Sequence, residues 1–121
     1  IYTGYIEDKP VSALLCLYFN STVEYFTPVL EKDFRNTQAL TLVIYEAMVE
    51  AMSLGFSQWN WGGTWLNQDG VYDFKKRWGT TEYRYFYFTK VYDKTLQKTT
   101  KEYLLSEYPG FYLLPFDNLE V

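Results

Sequence analysis

The hydrophobic and polar positions of this chain change period several times, and each change marks an element. Residues 1–30 read "IYTGYIEDKPVSALLCLYFNSTVEYFTPVL" and hold three strand-like runs. Ile1 to Glu7 is the first, closed by the turn formers Asp8, Lys9 and Pro10. Val11 to Phe19 is almost continuously apolar, which predicts a central strand buried on both faces. Asn20, Ser21 and Thr22 turn the chain again, and Val23 to Thr27 is the third run, closed by Pro28. Connections this short imply antiparallel neighbours. A polar loop, "EKDFRN", follows, and the period then becomes helical. Leu40, Val43, Ile44, Ala47, Met48 and Ala51 recur at the spacing of one helix face. Asn36 or Thr37 is placed to cap that helix, and Gly55 to end it in a left-handed conformation.

"FSQWNWGG" is short, aromatic and closed by glycines, which predicts a strand returning parallel to the third one after a right-handed crossover. Gly70 to Trp78 has the pattern of a short helix. "TEYRYFYFTK" alternates and is rich in strand formers. "DKTLQKTTKEYLLSEYPG" reads as a helix stopped by Pro109 and Gly110, and "FYLLPF" as a last short strand. The expected order is β-β-β-α-β-α-β-α-β, an α+β fold on a mixed sheet. Neither a repeat nor a linker interrupts it, so residues 1–121 are expected to form a single domain.

Composition narrows the function classes. Aromatic residues make up 21% of the 121 residues, with thirteen tyrosines and four tryptophans. That much apolar surface argues against disorder, and Tyr and Trp are common walls of ligand clefts. The net charge of −4 opposes nucleic-acid binding over the whole surface while leaving room for a local basic patch. Lys90, Lys94, Lys98 and Lys101 would form such a stripe on one helix, with a solvated face as its ordinary explanation. The lone cysteine, Cys16, lies in an apolar run and reads as a buried, inert thiol. The chain has no histidine, which removes Ser–His and Cys–His catalysis and histidine metal sites. No apolar run reaches the ~18 residues of a membrane span, and no signal peptide is visible, so the expected location is cytoplasmic. The first residue is Ile within a strand pattern, and a piece of a longer protein is expected.

The densest chemistry lies in "WNWGGTW" and "GVYDFKKRWG". Gly62 and Gly63 let backbone approach a ligand closely, or simply turn the chain. Lys75, Lys76 and Arg77 stand between Phe74 and Trp78. They form either a solvated helix face or a site for an anionic or carbonyl-bearing substrate. In order and spacing, Gly55, Phe56, Asn60, Trp61, Gly62 and Gly63, then Gly70, Val71, Tyr72, Phe74, Lys75, Trp78 and Gly79, resemble a known pattern. It is that of the second half of a GNAT-fold acyltransferase domain, in the branch of the FemAB-like peptidyltransferases and their bacterial relatives. The likeness covers about residues 1–90 and marks the chain as an incomplete or truncated domain of that type.

The resemblance implies transfer of an acyl or aminoacyl group from a thioester or ester donor to an amine. The implied donor is acyl-CoA, or aminoacyl-tRNA in the cell-wall branch, without a metal, and the acceptor a small molecule or peptide. It implies that Lys75 acts near the reacting carbonyl, where an ammonium stabilises an oxyanion. Where many members carry a tyrosine acid this chain has Phe74, and nearby Tyr72 is either its substitute or a neutral core tyrosine. The region of the donor's phosphates corresponds to Arg35, Asn36 and Thr37, in a segment "RNTQAL" without the glycines of the coenzyme A users. Gly62 and Gly63 complete the donor site. The donor is expected where the third strand, about Glu24 to Val29, splays from the strand Ser57 to Trp61. The base is open among Glu46, Glu50, Asp69 and Asp73. Two other readings stand beside the enzyme: a non-catalytic binding module, dimerising through a free sheet edge, or a structural domain whose aromatics are all core.

Overall fold

The computed structural model describes residues 1–64, 68–86 and 88–108. The chain forms two compact units, Ile1–Thr81 and Glu82–Val121. The first contains strands β1 (Tyr2–Ile6), β2 (Lys9–Phe19) and β3 (Thr22–Leu30), a 3-10 helix (Lys32–Thr37), helix α1 (Ala39–Ser53), strand β4 (Gln58–Asn60) and helix α2 (Asp69–Lys76). The sheet order is β1-β2-β3-β4. β1, β2 and β3 are antiparallel neighbours, and β4 returns parallel to β3. The mixed sheet and its helical crossover are those expected from the hydrophobic pattern.

Helix α1 covers one face of the sheet. Its Val43, Ile44, Ala47 and Ala51 are buried with Leu14, Cys16, Val23 and Tyr25, and Leu40 and Met48 pack at the margin. Burial pushes the Cys16 thiol up to about 11, which keeps it neutral and unreactive near pH 7. The helix ends as its glycine predicts. Gly55 has φ +88, its N–H donates to Met52 O, and the Phe56 N–H donates to Ala51 O. This pair of bonds satisfies carbonyls that a helix end leaves open.

The helix also comes close to β1. A Cβ on Gly4 would lie 2.8 Å from Val43 Cγ2 and would collide with Ser12 Oγ opposite. Gly4→Ala is therefore expected to destabilise the protein by about 1–3 kcal/mol, the usual range for overpacking. Urea unfolding of both forms checks this, and an unchanged midpoint would show that α1 can back away at no cost.

Several details depart from the sequence pattern. Pro28 does not close β3, which runs on to Leu30 with Pro28 opposite Leu14. Beyond Glu24, β3 has no described partner on its β4 side, and a proline is tolerated where one edge needs no donor. β2 is buried on both faces only in its first half. Val11 and Ser12 are buried, whereas Leu17, Tyr18 and Phe19 are exposed. "EKDFRN" lies mostly within the 3-10 helix. Neither Asn36 nor Thr37 is the residue before α1. That is Gln38, in a left-handed conformation, although Thr37 Oγ1 accepts the Ala39 N–H at 3.3 Å.

In the second unit, a 3-10 helix spans Lys94–Lys98 and helix α3 spans Lys101–Glu107. Asp93 Oδ1 accepts from the Thr95 N–H and hydroxyl, which holds its carboxyl below the usual carboxylate range. Thr99 is extended and the Thr100 hydroxyl caps α3, so the expected long helix is broken in two. The four lysines therefore share no single helix stripe, and Lys90 instead stands 5.0 Å from the Tyr92 ring centroid. Residues 81–86 and 88–90 form no strand, because no ladder partner meets them among the described residues. The expected strand "FYLLPF" lies outside the described residues. No described helix is long and apolar enough to cross a membrane.

Candidate functional site

The site begins where two strands part. β4 pairs with β3 through only three positions, Thr22↔Gln58, Val23↔Trp59 and Glu24↔Asn60. After the last pair β3 continues to Leu30, while the segment after β4 turns at Gly62. Tyr25 to Leu30 thus present an edge whose peptide groups meet no described strand on that side. An unpaired strand edge is a template for an extended ligand.

Asn60 shapes the turn. Its Oδ1 accepts the Gly62 N–H at 3.0 Å, and its Nδ2 donates to Glu24 Oε2 at 2.6 Å. One side chain thereby ties the turn to the end of the ladder. Gly62 has φ +66, a conformation that penalises any side chain, and a Cβ there would lie 3.4 Å from Glu24 Oε1.

Aromatic packing then returns helix α2 to this turn. The Trp61 ring lies 5.0 Å from Tyr25, 6.1 Å from Trp59, 6.2 Å from Phe74 and 5.4 Å from Trp78, centroid to centroid. Phe74 and Trp78 anchor the helix, and Lys75 between them faces the glycines. Its Nζ donates to Gly63 O at 2.8 Å and to Thr64 Oγ1 at 2.9 Å. Partial burial lowers the Lys75 pKa, and the Glu24 carboxylate opposes that shift. Two of the three ammonium donors have partners among the described residues. Lys76 and Arg77 are exposed, and both lysines lie in the last turn of α2, where the helix dipole favours cations.

The structure thus joins Lys75, Gly62 and Gly63. Tyr72 is exposed on α2, with Lys76 Nζ 5.4 Å from its ring centroid. Arg35, Asn36 and Thr37 are exposed on the 3-10 helix that follows the far end of β3. Of the candidate bases, Glu50 accepts the Tyr2 hydroxyl at 2.5 Å, and Tyr2 meets the Tyr18 hydroxyl at 2.5 Å. This chain lies at the Phe19–Thr22 end of the hairpin, and it raises the Tyr2 pKa through burial first and the Glu50 bond second. Glu46, Asp69 and Asp73 are exposed. An open groove of about 550 Å³ lies elsewhere, lined by Thr3, Val11, Val29 and Asp33 among others. The residue missed by sequence reasoning is Glu24. Only the β3–β4 register reveals it, because Asn60 is 36 positions away in the chain.

The model of the FemAB family matches residues 2–100. The chain belongs to the FemAB family. No curated protein sequence matches it. Among solved structures, this FemAB chain is similar to the aminoglycoside 6'-N-acetyltransferase AAC(6')-IG from Acinetobacter haemolyticus. That match has a TM-score of 0.55 and 16% identity, over 75% of this chain and 69% of the other. It is also similar to the aminoglycoside acetyltransferase meta-AAC0020 from an uncultured soil metagenomic sample, solved with sisomicin. There the TM-score is 0.53 and the identity 15%, over 74% of this chain and 64% of the other. Identities this low establish the fold, which is of GNAT type. Among the described residues of this FemAB protein, no group of three or more His, Cys, Asp or Glu comes together to hold a metal ion.

Proposed function

We propose that this FemAB chain carries the transfer site of an acyl- or aminoacyl-transferase, which moves an acyl group from a thioester or ester donor to an amine. The observation that carries the reading is the juxtaposition of Lys75 with the turn at the end of the short β3–β4 ladder. A donor lying along β3 beyond Glu24 would bond to the peptide groups of Tyr25 to Leu30, which meet no described strand on that side. Its carbonyl would then reach the Gly62–Gly63 turn and the Lys75 ammonium. Attack on that carbonyl places negative charge on oxygen, and a partly desolvated ammonium stabilises it more than a solvated one does. Arg35, Asn36 and Thr37, after the other end of β3, would meet the donor's phosphates. Family membership and the GNAT-type fold support this reading.

The donor is tested by calorimetry, with acetyl-CoA and a short aminoacyl-RNA mimic titrated into the 121-residue chain. Saturable binding of acetyl-CoA assigns a coenzyme A donor despite the glycine-free segment before α1. Binding of the RNA mimic alone assigns the aminoacyl donor. Binding of neither overturns the reading for this chain and leaves a binding or dimerisation module.

A further inference from the structure

We infer that Glu24 receives the acceptor: its carboxylate binds the acceptor's ammonium and takes a proton from that nitrogen during transfer. This rests on the transfer reading above and adds the chemistry of the acceptor to it. Glu24 is the last β3 residue paired to β4 and is partly buried there. Asn60 holds one oxygen, Oε2, at 2.6 Å, and is itself held by the Gly62 N–H. The other oxygen, Oε1, lies beside Gly62, 3.4 Å from where a Cβ on that residue would stand. Lys75 Nζ rests on Gly63 O, next to the Gly62 that faces Glu24, and the Glu24 carboxylate opposes the lowering of the Lys75 pKa. Without a histidine, a carboxylate is the natural proton acceptor. Glu50 is engaged by Tyr2, and Glu46, Asp69 and Asp73 are exposed.

The bound ammonium first gives one proton to water through Glu24 Oε1, which frees the nitrogen lone pair. That pair attacks the acyl carbon, a C–N bond forms, and the carbonyl π pair moves to oxygen beside Lys75. The nitrogen becomes cationic and one of its protons passes to Glu24 Oε1. The carbonyl re-forms as the bond to the donor's sulfur or oxygen breaks, and that atom leaves with the electron pair and is protonated by water. Glu24 then releases its proton to water. A carboxylate is basic enough because the nitrogen of the tetrahedral adduct is far more acidic than a free ammonium. The same charge selects cationic primary amines as acceptors.

Sisomicin, the ligand of one structural neighbour, is a suitable polyamine probe. It is titrated into the wild type, Glu24→Gln and Glu24→Asp, with the donor titrations run in parallel. Glu24→Gln is expected to weaken sisomicin about 10- to 100-fold, as losing a charged hydrogen bond does, and to leave donor binding within about twofold. Glu24→Asp is expected to keep part of the affinity. In the wild type, sisomicin is expected to shift the Asn60 and Gly62 amide resonances, a readout that does not depend on whether a variant folds. Equal sisomicin affinity in wild type and Glu24→Gln, unmoved amides, or no sisomicin binding by the wild type each overturns the assignment. Failure of the donor titrations overturns the transfer reading instead, so the two failures are distinguishable.

Discussion

Lys75→Ala is expected to slow acyl transfer about 100- to 1000-fold, the usual loss on removing one oxyanion donor. The fold should change little, because Lys75 contributes two exposed or half-buried hydrogen bonds and no core packing. Thermal unfolding of Lys75→Ala is therefore expected within a few degrees of the wild type. A large loss of rate with intact melting separates chemistry from folding, whereas an unchanged rate removes Lys75 from the site. The charge of Lys75 also sets an alkaline limit. Burial lowers its pKa below the ordinary 10.5, so the ammonium is lost earlier as pH rises and the rate should fall below that pH. Stability has the opposite sign. Between the lowered and the ordinary pKa the unfolded chain binds more protons, so this residue's contribution to stability grows with pH there. Lys75→Arg, which stays charged, should lose the alkaline limb even if its bulkier fork lowers the rate.

The largest effect on stability is expected from Trp61→Ala. The indole touches rings from β3, β4 and α2 and so ties α2 to the sheet. Trp-to-Ala changes in cores cost about 3–5 kcal/mol. Trp61 is only partly buried, which places the expected loss near 3 kcal/mol, or about 10 °C in melting temperature for a chain of this size. Function should fall further than stability. With the ring gone, Phe74 and Trp78 lose their common partner, α2 loosens, and Lys75 leaves Gly63. Near-ultraviolet circular dichroism and rate, measured well below the melting temperature, check this together. Trp61→Phe should recover most of both. If Trp61→Ala melts like the wild type, the aromatic cluster does not hold α2.

Local interactions were legible in the sequence, and long-range ones were not. The helical period of Leu40 to Ala51 states which face of α1 is buried, because side chains three and four apart share a face wherever the helix sits. Gly55 ends the helix for a reason internal to its own backbone. Pro28 misled, because its effect depends on which strand edge needs a donor, and that is set by a neighbour. The alternation of residues 81–86 and 88–90 misled likewise, since strand preference fixes nothing where no ladder partner stands among the described residues. The lysine stripe failed at Thr99 and Thr100, where a hydroxyl cap begins a new helix.

The site divides along the same line. The glycine pair and the lysine between two aromatics stood out in the sequence by pattern and by resemblance. Their meeting, the Lys75 ammonium on the Gly63 carbonyl, required Trp61 to draw α2 back over the turn. Glu24 was indistinguishable from any outward charge on a strand until the parallel register set it against Asn60. By itself, then, the sequence determined the elements, the buried face of α1 and the residues with chemistry to offer, since these follow from bonds and periods within a few residues. The tertiary structure alone decided which of them meet, because ladder register and aromatic packing join groups far apart in the chain.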